Sequence, residues 1–194
     1  MLTPAQLATL KADILASPDM ASQPLTSGGA LAIAALYNIA SATDVWRTDA
    51  LVTEVFDAID WSKYTPVDSV PVANAVQGNA EIHQYNGRLL AIQTKQMNLY
   101  TMLQGRIVID ASKTNIRGGL RDATIQIPAG AAGANVAPGG VSGFNVMTAL
   151  VRKATRFEKV FAITDATTGA VTAKLLVVEG TVTSDEVQAA RELP

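Results

Sequence analysis

Apolar residues recur every three or four positions along much of the chain, which is the spacing of amphipathic helices. The first such segment begins at Thr3, an N-cap residue, and Gln6 completes a capping box with it. The same spacing predicts three further helices, over about residues 30–40, 51–59 and 79–104. Gly105 is the expected C-cap of the last of these, which is the longest.

A late segment, MTALVRKATRFEKVFAI over residues 147–163, combines an apolar stripe with a group of cations. The spacing predicts a single amphipathic helix with one buried face, formed by Leu150, Ala154, Phe157 and Phe161. The cations of this segment form a candidate protein interface: Arg152, Lys153, Arg156 and Lys159. This cationic face could contact one of three environments: DNA phosphates, an acidic protein surface or bulk water. The pattern favours a protein surface or water, because no aromatic side chain is expected to stack among the cations and the chain as a whole is acidic.

The remaining patterns complete the predicted fold. Residues 170–182, AVTAKLLVVEGTV, predict one or two strands, and Thr183 with Glu186 forms a second capping box before a short final helix. The segment 128–143, PAGAAGANVAPGGVSG, is expected to be a mobile loop that a partner orders. We therefore predict one mainly α domain over residues 1–194. It is a helical bundle of about five to seven helices, with a small β element near the C-terminus and a loop-rich excursion around residues 62–143.

Composition narrows the class of protein. Hydrophobic residues make up 48% of the 194-residue chain and charged residues only 16%, which suits either a surface covered by partners or an Ala-rich helical protein. The net charge is −2, whereas a nucleic-acid-binding domain normally has a basic excess, so we expect no sequence-specific nucleic-acid partner. The chain has no cysteine, which excludes disulfide scaffolds and Cys-ligated zinc. Neither a membrane-spanning segment nor a secretory signal is expected.

The sequence contains no recognised set of catalytic residues. His83 is the sole histidine, so a Ser-His-Asp triad or a His-containing metal site would have to use it. Neither a nucleophile motif nor a ligand spacing accompanies His83, which favours a solvent-facing helical histidine. The glycine pairs at 28–29, 118–119 and 139–140 lack the spacing of a phosphate-binding loop. We predict no catalytic, cofactor-binding or metal-binding residue, no cofactor, and a protein that is not an enzyme.

Four stretches of the sequence carry a resemblance. They are LTPAQLATLKADILA, GGALAIAALYNIAS followed by VWRT, RKATRFEKVFA, and LLVVEGTVTSDEVQAARELP. In this order they resemble a family of tailed-bacteriophage virion structural proteins, of largely unassigned role, that are commonly encoded near the capsid genes. The resemblance covers about half of the chain, at its two ends. They are helix and packing signatures, so what they imply is assembly rather than catalysis.

The resemblance implies a head-to-tail connector, or adaptor, that forms a ring at the portal vertex and joins the capsid and portal to the tail. The implied partners are the portal protein, tail or neighbouring virion proteins, and copies of the chain itself in a ring that is dodecameric by analogy. The implied location is the virion, after assembly in the host cytoplasm. A capsid decoration protein or a minor tail protein is the alternative. A host-type helical enzyme or regulator is less favoured.

Overall fold

The computed structural model describes residues 1–59, 80–124, 143–168 and 171–194. The helices are α1 (Pro4–Ala16), α2 (Pro18–Ala21), α3 (Ser27–Tyr37), α4 (Val52–Asp57), α5 (Ala80–Leu103), α6 (Thr114–Thr124), α7 (Gly143–Ala149), α8 (Arg156–Val160) and α9 (Ser184–Arg191). The strands are β1 (Ala40–Trp46), β2 (Ala50–Leu51), β3 (Val108–Ile109), β4 (Val151–Thr155), β5 (Ala162–Ile163) and β6 (Leu175–Leu176).

Helix predominates over strand among the described residues, but the fold is mixed α/β and only leans helical, so the mainly α prediction is confirmed in part and the predicted bundle is not confirmed. The strand predicted within residues 170–182 is present as β6, but the prediction of a single β element is incomplete. Among the described residues the strands form three two-stranded sheets, which pair β1 with β4, β2 with β3 and β5 with β6. The longest strand, β1, lies in the first third of the chain.

Local capping explains where several helices begin and end. The hydroxyl of Thr3 accepts a hydrogen bond from the backbone N–H of Gln6, whose side chain accepts one from the N–H of Thr3. Thr183 and Glu186 make the same reciprocal pair at the start of α9, so both predicted capping boxes are confirmed. Gly105 follows α5 with φ of +72°, the left-handed conformation expected of a helix-ending glycine.

The described chain divides into two compact units. Unit 1 contains residues 1–45, 152–165 and 173–194, and its core lies where α1, α3, α8 and α9 pack together. The largest buried side chains of this core are Leu10, Ile14, Met20, Ile33, Tyr37 and Phe157. The Tyr37 hydroxyl donates to Asp13 at 2.7 Å, and burial, followed by that carboxylate, raises the pKa of Tyr37.

Unit 2 contains residues 46–151 and 166–172, and in it α5 and α7 both pack on α6. The predicted excursion over residues 62–143 falls within the sequence range of this unit, although residues 60–79 and 125–142 lie outside the described part. β2 and β3 pair antiparallel, with Ala50 opposite Ile109 and Leu51 opposite Val108. The prediction of a single domain stays a prediction.

The predicted single helix over residues 147–163 is wrong. Here α7 ends at Ala149, β4 follows, and α8 starts only after Thr155. The reason is a long-range partner: the N–H of Arg47 donates to the carbonyl of Leu150, and the N–H of Arg156 donates to that of Ile39, so β1 and β4 form an antiparallel pair. The same pairing explains why α3 ends at Tyr37 and the chain becomes extended before the predicted end at residue 40.

The predicted apolar stripe is nevertheless largely buried. Leu150, Ala154 and Phe157 are buried and Phe161 is half-buried. Leu150 and Ala154 are an even number of positions apart, so they also fall on one face of an extended chain. At Leu150 and Ala154, a helical spacing and a strand spacing therefore predict the same two buried residues.

Candidate functional site

The cations predicted to form an interface are distributed over two elements of unit 1. Arg152 and Lys153 lie on β4, whereas Arg156 and Lys159 lie on α8. Because β4 and α8 meet at Thr155, the four side chains do not share one helical face. The structure gives three of them acidic partners within unit 1.

Arg152 forms a two-pronged ion pair with Glu158. Its two terminal nitrogens donate to the two carboxylate oxygens, each at 2.7 Å, and Glu158 is only 1% exposed. The backbone N–H of Thr155 and that of Gly180 donate to the same carboxylate, both at 2.9 Å. The second acidic partner of Arg152 is Glu179, at 3.0 Å. Glu158 is therefore a buried anion whose two oxygens are fully used in binding four donors.

The pKa values of this pair follow from its geometry. Burial alone would raise the pKa of Glu158, but the hydrogen bonds from Arg152, Gly180 and Thr155 outweigh burial and lower the pKa to about 2. The hydrogen bond to Glu158 raises the pKa of Arg152. Both side chains are therefore charged throughout the neutral range.

Two more of the predicted interface cations pair with carboxylates that are distant in sequence. Arg156 donates to Asp19 at 2.9 Å, and that hydrogen bond lowers the pKa of the aspartate and raises that of the arginine. Lys153 lies 2.9 Å from Asp44 of β1 and also donates to the carbonyl of Ala42. These contacts join β4 and α8 to other segments of unit 1.

Lys159 differs from the other three cations. Its side chain is exposed, and no ion pair to it occurs within the described residues. A contact of these cations with another protein stays a prediction. The structure assigns Arg152, Lys153 and Arg156 a role inside unit 1, which the sequence pattern alone did not indicate.

Sequence reasoning missed Glu158 and Gly180, which complete this cluster. A signal for Glu158 was present: Thr155 and Glu158 have the Thr-x-x-Glu spacing of a capping box, and they form one at the start of α8. Gly180 has φ of +113°, which a residue with a side chain rarely adopts. No local pattern could reveal that its N–H reaches a carboxylate 22 positions earlier.

The other residues considered for chemistry are the glycine pairs and His83. Gly28 and Gly29 lie at the start of α3, and Gly118 and Gly119 lie inside α6. His83 lies on α5, but its side chain is outside the described part, as are residues 139–140. Within the described residues, no group of three or more His, Cys, Asp or Glu side chains is placed to hold a metal ion.

Gly29 permits a close approach of two segments in unit 1. A Cβ atom at this position would lie 2.0 Å from the backbone oxygen of Pro24. Arg191 of α9 donates to the same oxygen at 2.9 Å and to that of Gln23 at 2.8 Å. The turn before α3 therefore packs closely on α3 at Gly29, and its carbonyl groups accept hydrogen bonds from Arg191 of α9.

Arg117 is a fully buried cation of unit 2. Its guanidinium carbon lies 4.4 Å from the centre of the Trp46 ring, and the residue has no exposed surface. One terminal nitrogen donates to the carbonyls of Ala111 and Ser112, and Nε donates to the hydroxyl of Thr168. These contacts use the planar geometry of the guanidinium to connect α6 with two neighbouring loops.

Large apolar side chains remain exposed on both units. Leu25 of unit 1 is 84% exposed and lies beside two shallow cavities of about 240–250 Å³ that are lined from α1, α2 and α9. Ile107 of unit 2 is 80% exposed and Met97 is 70% exposed. A third cavity, of about 200 Å³, lies between α5 and α6 and is lined by Met102, Leu103, Arg106, Ile109, Asn115, Ile116 and Leu120.

In the part of the chain that the structure describes, no helix is long and apolar enough to cross a membrane. Comparison of the chain with protein-family models, with curated proteins and with solved structures finds no match.

Proposed function

We propose that this chain is a structural subunit of a tailed-bacteriophage virion, specifically a head-to-tail connector that forms a ring at the portal vertex. The observation that carries the proposal is the exposure of large apolar side chains on both units, at Leu25, Met97 and Ile107. Large apolar side chains at the surface are available for burial against a partner protein. The resemblance of the two ends of the chain to phage virion proteins supports the same function.

The arrangement of charge in unit 1 fits such a subunit. Arg152, Lys153 and Arg156 are paired with carboxylates inside the unit, so they stabilise it without needing a partner. Of the four cations predicted to form an interface, Lys159 is the one that we propose for contact with the portal or tail. We expect apolar surface to supply most of the affinity, since exposed ion pairs contribute only about 0–1 kcal/mol each.

The proposal is tested in the phage that encodes the chain. A nonsense mutation in this gene should give DNA-filled heads and free tails that do not join, and supplying the wild-type chain should restore joining. A capsid decoration protein, the second candidate, would instead leave heads and tails joined and make the heads less stable. Particles of normal form and infectivity that lack the chain would contradict both candidates.

A further inference from the structure

The cavity between α5 and α6, which we call the α5–α6 pocket, combines apolar walls with a polar opening. Five apolar side chains form its walls: Met102, Leu103, Ile109, Ile116 and Leu120. Its two polar lining residues, Arg106 and Asn115, are both exposed and therefore lie where the pocket opens to solvent. An occupant would meet apolar groups inside the pocket and a cation at its mouth.

A glycine of α6 brings one wall of the pocket close to the helix backbone. A Cβ atom at Gly119 would lie 2.8 Å from Cε of Met102, so this glycine lets the methionine side chain pack directly on α6. Methionine is flexible and polarisable, so a wall made from it adapts to the shape of an apolar occupant. Gly119, which belongs to a glycine pair without the spacing of a phosphate-binding loop, thus shapes an apolar pocket.

The volume of the pocket, about 200 Å³, matches one large apolar side chain. An apolar cavity of about 150 Å³ holds a benzene molecule, whereas pockets for drug-sized ligands measure about 300–1,000 Å³. The α5–α6 pocket therefore has room for a phenylalanine or leucine side chain. Ile107, which follows Arg106 directly, is 80% exposed and adds apolar surface outside the pocket. Such additional surface suits a protein partner better than a small molecule.

The charge around the pocket favours an acidic partner. Residues 95–124 contain five Lys or Arg residues and two Asp residues, which gives this segment a net charge of +3 in a chain whose net charge is −2. The carboxylate nearest to Arg106 in sequence is that of Asp110, which accepts hydrogen bonds from Ser112 and pairs with Lys113. Across the described ranges, Arg106 has no carboxylate partner. A carboxylate brought by a partner protein would complement this arginine.

We propose that the α5–α6 pocket binds an acidic segment of a partner protein, which inserts one phenylalanine or leucine side chain and pairs a neighbouring carboxylate with Arg106. An apolar side chain that fills a pocket is the kind of contact that supplies most of the affinity of an interface. The exposed ion pair contributes less affinity and favours acidic segments over neutral or basic ones.

The methyl group of Met102 reports directly on the pocket. The chain has five methionines, so isotope labelling of the methionine methyl groups gives five NMR signals, and Met102→Leu assigns the signal from the pocket. Met97 lies on the same helix, is 70% exposed and does not line the pocket, so its signal is the internal control. The probe is the peptide acetyl-Asp-Phe-Asp-amide, titrated to roughly 10 mM so that millimolar complexes are detected. We expect a saturable shift of the Met102 signal and an unchanged Met97 signal. A Met102 signal that does not move, or that moves only together with that of Met97, would overturn the proposal.

Matched replacements test the apolar and the charged contact separately. Replacing the phenylalanine of the peptide with alanine should weaken binding at least about tenfold. Replacing both of its aspartates with asparagine, or Arg106→Gln in the protein, should weaken binding about two- to fivefold. Arg121→Gln, which makes the same change at an exposed position of α6 outside the pocket, should leave the affinity unchanged. Equal effects of the two arginine replacements, or equal binding of the acidic and the asparagine peptide, would overturn the proposal. All of these measurements use the free chain, so their failure is distinguishable from a failure of the proposed function.

Discussion

Replacing Glu158 with Gln removes the charge at the centre of the buried ion pair and keeps the size of the side chain. In the wild type the carboxylate accepts two hydrogen bonds from Arg152, one from the N–H of Thr155 and one from that of Gly180. The glutamine amide has one accepting oxygen and one donating nitrogen. At least one of the four donors then faces another donor, and Arg152 loses its main counter-charge.

The structure sets the magnitude of this effect. Lowering the pKa of Glu158 from its ordinary 4.5 to about 2 corresponds to about 3 kcal/mol of folding free energy. Removing one member of a buried pair costs about 3–5 kcal/mol, and we expect the lower end because the side chain of Arg152 is 29% exposed. A loss of about 3 kcal/mol lowers the Tm of a chain of this size by roughly 6–12 °C.

Urea unfolding followed by far-UV circular dichroism measures this loss, with Glu179→Gln as the matched control. Glu179 meets the same arginine, but its side chain is 40% exposed, so its replacement should cost under about 1 kcal/mol. Because the pKa of Glu158 is lowered in the folded protein, its stabilisation is complete above about pH 5 and is lost as the pH falls towards 2. The free-energy difference between wild type and Glu158→Gln should therefore narrow below about pH 4.5. Equal effects of the two replacements, or a difference that does not change with pH, would refute this reasoning.

Two further predictions concern packing. Gly29→Ala should destabilise unit 1 by about 1–3 kcal/mol in urea unfolding, because its Cβ would clash with a backbone oxygen at 2.0 Å, whereas Gly28→Ala, whose nearest neighbour would be at 3.8 Å, should be neutral or stabilising. Arg117→Lys should lower the free energy of unfolding by about 2–3 kcal/mol and alter Trp fluorescence, because lysine cannot reproduce the planar contacts beside Trp46. The control Arg121→Lys, at an exposed position, should change neither the free energy of unfolding nor the fluorescence. Equal effects within either pair would contradict the corresponding explanation.

Helix boundaries that depend on local contacts were predictable from the sequence. The capping boxes at Thr3 and Thr183 join residues three positions apart, and Gly105 ends α5 through its own backbone conformation. The β1–β4 pair was not predictable, since it joins segments separated by more than one hundred residues. Local periodicity could not distinguish helix from strand at β4, because the positions of Leu150 and Ala154 satisfy both.

The candidate site shows the same division between local and long-range information. The sequence identified the cations of residues 152–159, but it could not identify Asp19 as the partner of Arg156 or Asp44 as that of Lys153. The partner of Arg152 was within reach, since Glu158 completes a local capping box. The sequence gives the charge of each side chain, whereas the fold determines which residue forms an ion pair with it.

The measurement that tests the proposed function most directly is a cryo-electron microscopy reconstruction of the head-to-tail junction of the phage that encodes this chain. We predict a ring of copies of this chain between portal and tail. A junction built entirely from other proteins, with this chain on the capsid lattice or missing from the particle, would contradict the proposed function.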